Sequence, residues 1–321
     1  MDSKPDLLTV ARLAPFLMEP LQRAFAVHDR LHESLLDSAT ASFARVAPRI
    51  RAICGSGESK VNAELLAQLP ALQIVSIMGV GYDGVDVAAC KARGVLVTHT
   101  PDVLNDDVAD LAIALALNVA RRIPQADRHV RAGRWAAEGP MPLATKVSGA
   151  RMGLVGMGRI GQAIAQRALA FGMSIAYTAR SARPQLPYTF HARVADLAAA
   201  SDFLVVITPG GAATRKLIDA DVLRALGPKG YLVNVSRGSV VDEAALIAAL
   251  QQGTIAGAAL DVFENEPQVP EALRALDNVV LTPHIGSATR ATRGAMADLA
   301  FENLRAFFAG GKPPTPVPEC R

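Results

Sequence analysis

An arginine, a glutamate and a histidine stand just past three short β-branched runs in the last third of the chain. The run at 231–235 leads into Ser236-Arg237-Gly238, the run at 255–261 into Val262-Phe263-Glu264-Asn265-Glu266-Pro267, and the run at 279–282 into Pro283-His284. Ligands of open α/β sheets bind beyond the carboxyl ends of the strands, so these side chains converge on one sheet edge. Their types suit the reduction of a carbonyl group. Histidine can donate a proton near neutral pH. A carboxylate beside it orients the ring and raises its pKa. A guanidinium holds a substrate carboxylate through paired hydrogen bonds and polarises a carbonyl oxygen. Position alone leaves both Glu264 and Glu266 open as the partner of the histidine.

Such a reaction needs a hydride donor, and the chain carries a dinucleotide fingerprint. Gly156-Met157-Gly158-Arg159-Ile160-Gly161 matches G-x-G-x-x-G. The run at 152–155 feeds directly into it. A helix opens at Arg159, with Ile160, Ile164, Ala168 and Phe171 on one face, and ends at Gly172. A second run, 174–178, follows at once. This is the βαβ context the fingerprint requires. The glycines permit a tight turn, and the helix N-terminus offers N–H groups to a pyrophosphate. A second match, Gly79-Val80-Gly81-Tyr82-Asp83-Gly84, follows the run at 74–77. There Asp83 and Asp86 would repel a pyrophosphate, whereas Arg159 would attract one.

Sites for NAD normally place an acid at the end of the second strand, on the ribose 2′-hydroxyl. Here the second strand ends Tyr177-Thr178-Ala179-Arg180-Ser181-Ala182-Arg183, and no acidic residue occurs between Gly161 and Asp196. Guanidinium groups match a 2′-phosphate dianion. The reading is NADPH (NADP) as preferred cofactor, with NADH (NAD) secondary; the bland alternative makes Arg180 and Arg183 solubilising loop residues. Thr208 and Pro209 end a further run and are expected on the adenosine side.

These residues need a scaffold, and the chain alternates short β-branched runs with helical stretches almost throughout. Runs at 7–10, 52–54, 74–77 and 95–98 form one set; those at 152–155, 174–178, 203–208, 231–235, 255–261 and 279–282 form another. The alternation implies βαβ units, a parallel sheet and an α/β class. Asn62 is a plausible N-cap for a helix over 62–68. An Ala/Leu-rich helical segment, 106–122, separates the sets and reads as a bridge between two domains. A last helix, 288–309, stops at Gly310-Gly311 and a proline-rich tail, and could return to the first domain.

Two domains also fit the 321 residues, at roughly 100–200 residues per domain. Half the chain is hydrophobic and 20% is charged, which excludes disordered, coiled-coil and collagen-like chains. The net charge is +3, from 33 basic and 30 acidic residues. The basic residues are mostly arginine and scattered, a solvated surface rather than a nucleic-acid footprint. Cys54, Cys90 and Cys320 are widely spaced, which excludes a disulfide framework or a cysteine zinc site and fits a reducing compartment. His28, His32, His99, His129 and His191 form no ligand-like cluster, so no metal is expected. The stretch 108–120, interrupted by Asp110, falls short of the ~20 apolar residues of a spanning helix, and the N-terminus shows no secretory signal. The reading is a soluble cytoplasmic protein, with neither membrane nor nucleic acid as partner. Trp135, the sole tryptophan, would pack in a core or dimer surface, or shape a neighbouring subunit's pocket.

Three segments carry a family resemblance: Asn234-Val235-Ser236-Arg237-Gly238, Ala259-Leu260-Asp261-Val262-Phe263-Glu264-Asn265-Glu266-Pro267, and Thr282-Pro283-His284-Ile285-Gly286-Ser287. With the glycine fingerprint they resemble the signatures of the D-isomer-specific 2-hydroxyacid dehydrogenases. The resemblance implies Arg237 as substrate clamp, His284 as general acid/base and Glu266 as its partner. It implies a Rossmann NAD(P)-binding domain (102–287) inserted into a smaller flavodoxin-like substrate domain (1–101 and 288–321), and a homodimer. Met78, Gly79, Val80 and Gly81 would then belong to the substrate domain and hold the substrate carboxylate by backbone N–H groups. Val235, Ser236, Asp261 and Gly286 join the expected cofactor contacts, with Asp261 orienting the nicotinamide side or nearby backbone.

Within the family, Thr100-Pro101-Asp102-Val103-Leu104-Asn105-Asp106-Asp107-Val108-Ala109-Asp110 is similar to the glyoxylate/hydroxypyruvate reductases and the plant hydroxyphenylpyruvate reductases, and Ala179-Arg180-Ser181 agrees with their NADPH use. Formate dehydrogenases pair their histidine with glutamine, where Glu266 stands here. Met78-Gly79 departs from the Ser-Val-Gly pattern of several glyoxylate-type reductases. The expectation is a reductase turning small 2-keto acids (glyoxylate, hydroxypyruvate) into D-2-hydroxy acids. The alternatives are aryl pyruvates as substrates, or a dinucleotide-sensing, corepressor-like protein, against which the intact Arg237, Glu266 and His284 argue.

Overall fold

The computed structural model describes residues 4–34 and 40–321. It divides into two units, Met1–Leu104 with Thr289–Arg321, and Asn105–Ala288.

The strands of the first unit are β1 (Asp6–Thr9), β2 (Ala26–Asp29), β3 (Ile50–Ser56), β4 (Ile74–Met78) and β5 (Leu96–Thr98). Among the described residues they form a 5-stranded sheet, order β2-β1-β3-β4-β5, with every neighbouring pair parallel. That is the flavodoxin-like doubly wound order. All of β4 is buried, because a parallel strand covered on both faces must read as a near-continuous apolar run. Its polar exception, Ser76, donates its hydroxyl to the Ala300 carbonyl at 3.0 Å. Ala300 lies on the helix Arg290–Phe308, which is N-capped by Thr289 and packs on β4. Asn62 caps the helix Ala63–Ala67 by accepting from the Leu65 N–H at 2.9 Å, as its sequence position predicts.

The second unit contains β6 (Arg151–Val155), β7 (Ser174–Thr178), β8 (Thr189–Phe190), β9 (Phe203–Val206), β10 (Tyr231–Asn234), β11 (Gly257–Leu260) and β12 (Val279–Leu281). Among the described residues they form a 7-stranded sheet, order β12-β11-β10-β9-β6-β7-β8, parallel throughout. The order reverses between β6 and β9, the switch point at which doubly wound sheets open a crevice for a dinucleotide. β9, β10 and β11 are wholly buried, and each fully buried Val, Leu or Phe contributes about 1.5–3 kcal/mol.

The helix Asn105–Arg121, expected from its composition as a bridge between two domains, begins where the second unit begins. It packs within the second unit, on β10, β11 and β12 and against the helix Arg159–Ala170. Arg167 of the latter pairs with Asp106 and Asp110 of the former. Asp106 and its neighbour Asp107 stand in the first turn of the helix, where the dipole favours negative charge. Among the described residues, no helix is long and apolar enough to cross a membrane.

Candidate active site

The glycine fingerprint leaves the carboxyl end of β6. Gly156 has φ +111°, and a Cβ there would sit 2.7 Å from the Ile207 carbonyl oxygen. A Cβ on Gly161 would sit 2.4 Å from the Gly156 carbonyl oxygen. Both glycines are therefore required by the turn itself. Gly158 differs: nothing lies within 4 Å of the place its Cβ would take. It is also the N-cap of Arg159–Ala170, and no side chain caps that helix. The space beside Gly158 at this helix N-terminus suits the close approach of a pyrophosphate. Met157 is buried, Arg159 is exposed and Ile160 is half-buried. The backbone of Ile207 and Thr208, past the end of β9, lies against Gly156, and the Pro209 carbonyl accepts from Thr214 Oγ1 at 2.7 Å.

The second glycine match carries no such cradle. The helix that follows it, Val87–Ala92, is short, and the Asp86 carboxylate caps it by accepting from the Ala89 N–H at 2.8 Å. Its N–H groups already have an anion.

Past β7, Ala179 is half-buried, Arg180 and Ser181 are exposed, and Arg183 is half-buried. The buried Tyr177 fixes this loop, its hydroxyl accepting from the Arg183 N–H at 2.6 Å. No side-chain hydrogen bond or ion pair engages either guanidinium among the described residues.

The second group of site residues stands beyond β10, β11 and β12. Asn234 closes β10 and shapes the turn carrying Arg237. Its Oδ1 accepts from the Ser236 N–H at 3.1 Å and the Ser236 hydroxyl at 3.0 Å, and its Nδ2 donates to the Arg237 carbonyl at 3.0 Å. Val235 and Ser236 are buried, and Arg237 is half-buried with Nη1 donating to the Ser236 carbonyl at 2.8 Å. The next residue, Gly238, lies against the turn that leads to Glu266. A Cβ on it would fall 1.9 Å from the Phe263 carbonyl carbon and 2.0 Å from its oxygen.

Glu266 Oε1 accepts from the Phe263 N–H at 2.9 Å, and Oε2 accepts from His284 Nδ1 at 2.8 Å. The side chains are 20% and 30% exposed. Glu264 turns elsewhere, pairing with Arg215 at 3.0 Å, so the geometry selects Glu266 between the two candidates. The Glu264 N–H also donates to Glu243 at 3.3 Å, and burial raises the Glu243 carboxyl above its usual value. His284 itself is held at φ +52°, in the left-handed region that non-glycine residues seldom occupy. Asp261 enforces that conformation. Its carboxylate, 2% exposed, accepts from the Thr282 hydroxyl at 2.6 Å and from the Ile285 and Gly286 N–H groups at 2.8 Å each, while its carbonyl accepts from the His284 N–H at 2.8 Å.

Sequence position therefore finds Arg237, Glu266 and His284 beyond the ends of neighbouring strands but misses the scaffolding contacts of Asn234, Gly238 and Glu243. An asparagine closing a strand and a glycine beside a functional arginine were the available signals. Met78, Gly79, Val80 and Gly81 lie in the first unit, at the end of β4, with Met78 and Gly79 buried and Val80 and Gly81 half-buried. The other histidines are engaged locally: His28 pairs with Asp6 at 2.7 Å, His99 with the Val80 carbonyl at 3.0 Å and His129 with the Gly139 carbonyl at 3.0 Å. Trp135 belongs to no core, being 63% exposed.

The chain is similar to known proteins along most of its length. Residues 113–286 match the family described as "D-isomer specific 2-hydroxyacid dehydrogenase, NAD binding domain". The chain is 51% identical to a glyoxylate/hydroxypyruvate reductase A of Arabidopsis thaliana, over 84% of this chain and 85% of that one. It is 52% identical to a hydroxyphenylpyruvate reductase of Plectranthus scutellarioides, over 84% and 86%. Among solved structures it resembles an NADPH-dependent glyoxylate/hydroxypyruvate reductase of Sinorhizobium meliloti in complex with NADP and malonate, at 49% identity and a TM-score of 0.92, covering 99% of this chain and 98% of that one.

Proposed function

Because the chain belongs to the D-isomer specific 2-hydroxyacid dehydrogenases, we propose that it reduces small 2-keto acids, glyoxylate and hydroxypyruvate, to D-2-hydroxy acids with NADPH. One observation carries this reading: the Glu266–His284 pair, 2.8 Å apart, stands on the same sheet edge as Arg237 and on the same sheet as the glycine cradle.

The nicotinamide, when bound, supplies the hydride. Gly156, Gly158 and Gly161 receive the pyrophosphate, and Arg180, Ser181 and Arg183 receive the 2′-phosphate. Arg237 holds the substrate carboxylate and polarises the carbonyl oxygen. His284 donates a proton to that oxygen from Nε2, since Nδ1 faces Glu266; the carboxylate fixes ring orientation and tautomer. In the first unit the N–H groups of Val80 and Gly81 take the substrate carboxylate, the Gly79 N–H being donated to the Ile77 carbonyl at 3.0 Å. We assign Met1–Leu104 with Thr289–Arg321 to the substrate and Asn105–Ala288 to the cofactor.

The Arg180→Ala/Arg183→Ala variant tests the cofactor side. Charge-assisted hydrogen bonds contribute roughly 1.5–3 kcal/mol each, so the NADPH KM should rise about tenfold or more. The NADH KM should stay within about twofold, since that ribose has no phosphate to lose. An unchanged NADPH KM would overturn the assignment.

We further propose a homodimer and a cytoplasmic setting. Val130, Trp135 and Leu143, close together in sequence, are 57%, 63% and 100% exposed, and apolar side chains left on a surface suit an association site. Sedimentation should give two chains per particle, and Trp135→Ser with Leu143→Ser should give one; a wild type running as a single chain would refute the dimer. Cys54 and Cys90 are buried thiols pushed up by burial to about 12 and about 11, inert in a reducing compartment.

A further inference from the structure

The far C-terminus lies along an open edge of the first sheet. β5 is an edge strand, and residues 315–317 pair with it. The His99 N–H donates to the Thr315 carbonyl at 3.1 Å and the Val317 N–H to the Val97 carbonyl at 2.9 Å, with an antiparallel bridge between Thr98 and Pro316. Val317 is fully buried. Asn303, also fully buried, locks the segment: its Oδ1 accepts from the Thr315 N–H at 3.0 Å and its Nδ2 donates to the Thr315 hydroxyl at 2.8 Å.

This tail reaches the loop after β4 by two routes. His99, 7% exposed, donates from Nδ1 to the Val80 carbonyl at 3.0 Å. The Tyr82 ring stands edge-on to His99 with centroids 5.2 Å apart, and its hydroxyl donates to Glu319 at 3.1 Å. Burial and the Glu319 carboxylate push the Tyr82 phenol up to about 12, so it remains a donor at neutral pH. The neighbouring Gly79 carbonyl is taken by the Thr100 N–H at 2.8 Å.

A trans peptide points its N–H opposite to its carbonyl. With the Gly79 and Val80 carbonyls both held from behind, the N–H groups of Val80 and Gly81 are aimed the other way. Neither meets an acceptor among the described residues.

We propose that the C-terminal tail is a strap that orients these two N–H groups, with Tyr82, His99 and Glu319 as positioning residues that set affinity for the substrate carboxylate. The proposal rests on the substrate role assigned above to Val80 and Gly81. It makes substrate affinity depend on residues at the extreme end of the chain.

Tyr82→Phe and Glu319→Gln, singly and together, test it. Tyr82→Phe keeps the ring against His99 and removes only the hydroxyl. Losing this charge-assisted bond should raise the KM for the 2-keto acid about fivefold. The kcat and the NADPH KM should remain within about twofold. The double variant should match Tyr82→Phe, since both changes act on one bond: Tyr82→Phe removes the donor, and Glu319→Gln keeps an acceptor oxygen but removes its charge, so that alone it should have the smaller effect. Amide hydrogen exchange should quicken at Val80 and Gly81 and not along β4. Unchanged keto-acid KM with unchanged exchange would overturn the strap, as would a general defect in which kcat and Tm fall while both KM values rise together. If the wild type turned over no 2-keto acid, the functional reading would fall. Exchange at Val80 and Gly81 would still decide the strap, faster exchange in the variants supporting it and unchanged exchange refuting it.

Discussion

His284→Ala is expected to lower kcat by about 10²–10⁴-fold, the usual worth of a positioned general acid. The NADPH KM should stay near the wild-type value, because the cradle and the 2′-phosphate arginines lie on other strand ends. The size of the effect follows from how heavily the ring is positioned. Glu266 fixes Nδ1 at 2.8 Å and Asp261 holds the backbone on both sides of the histidine. The left-handed φ of +52° costs free energy that the surroundings must offset. Alanine removes the imidazole and its bond to Glu266, while the Asp261 bonds to the flanking backbone remain, so the loss is expected to report the proposed proton donor more than the loop. A fall of less than tenfold would remove His284 from the acid role.

Gly238→Ala is the second large effect. Its added methyl would lie 1.9 Å from the Phe263 carbonyl carbon and 2.4 Å from the Glu264 nitrogen. These are backbone atoms and cannot swing aside as a side-chain end could. The turn carrying Arg237 and the turn carrying Glu266 must separate, and overpacking of this kind costs about 1–3 kcal/mol of stability. The catalytic cost should be larger, because a shift of about 1 Å in a positioned group can cost 10²-fold in rate. The expected outcome is a folded protein with NADPH affinity within about threefold and kcat/KM down about 100-fold. Wild-type kcat/KM would show that the two turns are not coupled through this contact.

The legible part of the molecule was the part written in strong local signals. Gly156 and Gly161 announce their turn because their roles are steric, and the buried strands of both sheets read as apolar runs. β2 and β8 escaped because they are edge strands of four and two residues, half-buried or exposed; nothing forces an apolar pattern on them. The Asn105–Arg121 helix read as a bridge because an Ala/Leu-rich stretch says only that it is buried, not against what. At the site, chain position yielded Arg237, His284 and two glutamates; the family resemblance pointed to Glu266, and the hydrogen bond to His284 agrees with it while Glu264 pairs with Arg215. Asp261 drew notice as a residue at a strand end, yet its hydrogen bonds to Thr282, Ile285 and Gly286 span a turn that no local pattern reveals. The strap on β5 was hidden most completely, since it joins positions more than two hundred residues apart, such as Tyr82 and Glu319.

The most direct measurement is the initial rate of reduced-cofactor oxidation by the purified protein, with NADPH and NADH tested separately against glyoxylate, hydroxypyruvate, pyruvate and phenylpyruvate. Fast turnover of hydroxypyruvate or glyoxylate with NADPH is the expected result. Turnover with NADH alone would keep the proton donor and clamp while removing the role of Arg180 and Arg183. No turnover with any pair, by protein that still binds NADPH, would contradict the proposed reduction of 2-keto acids.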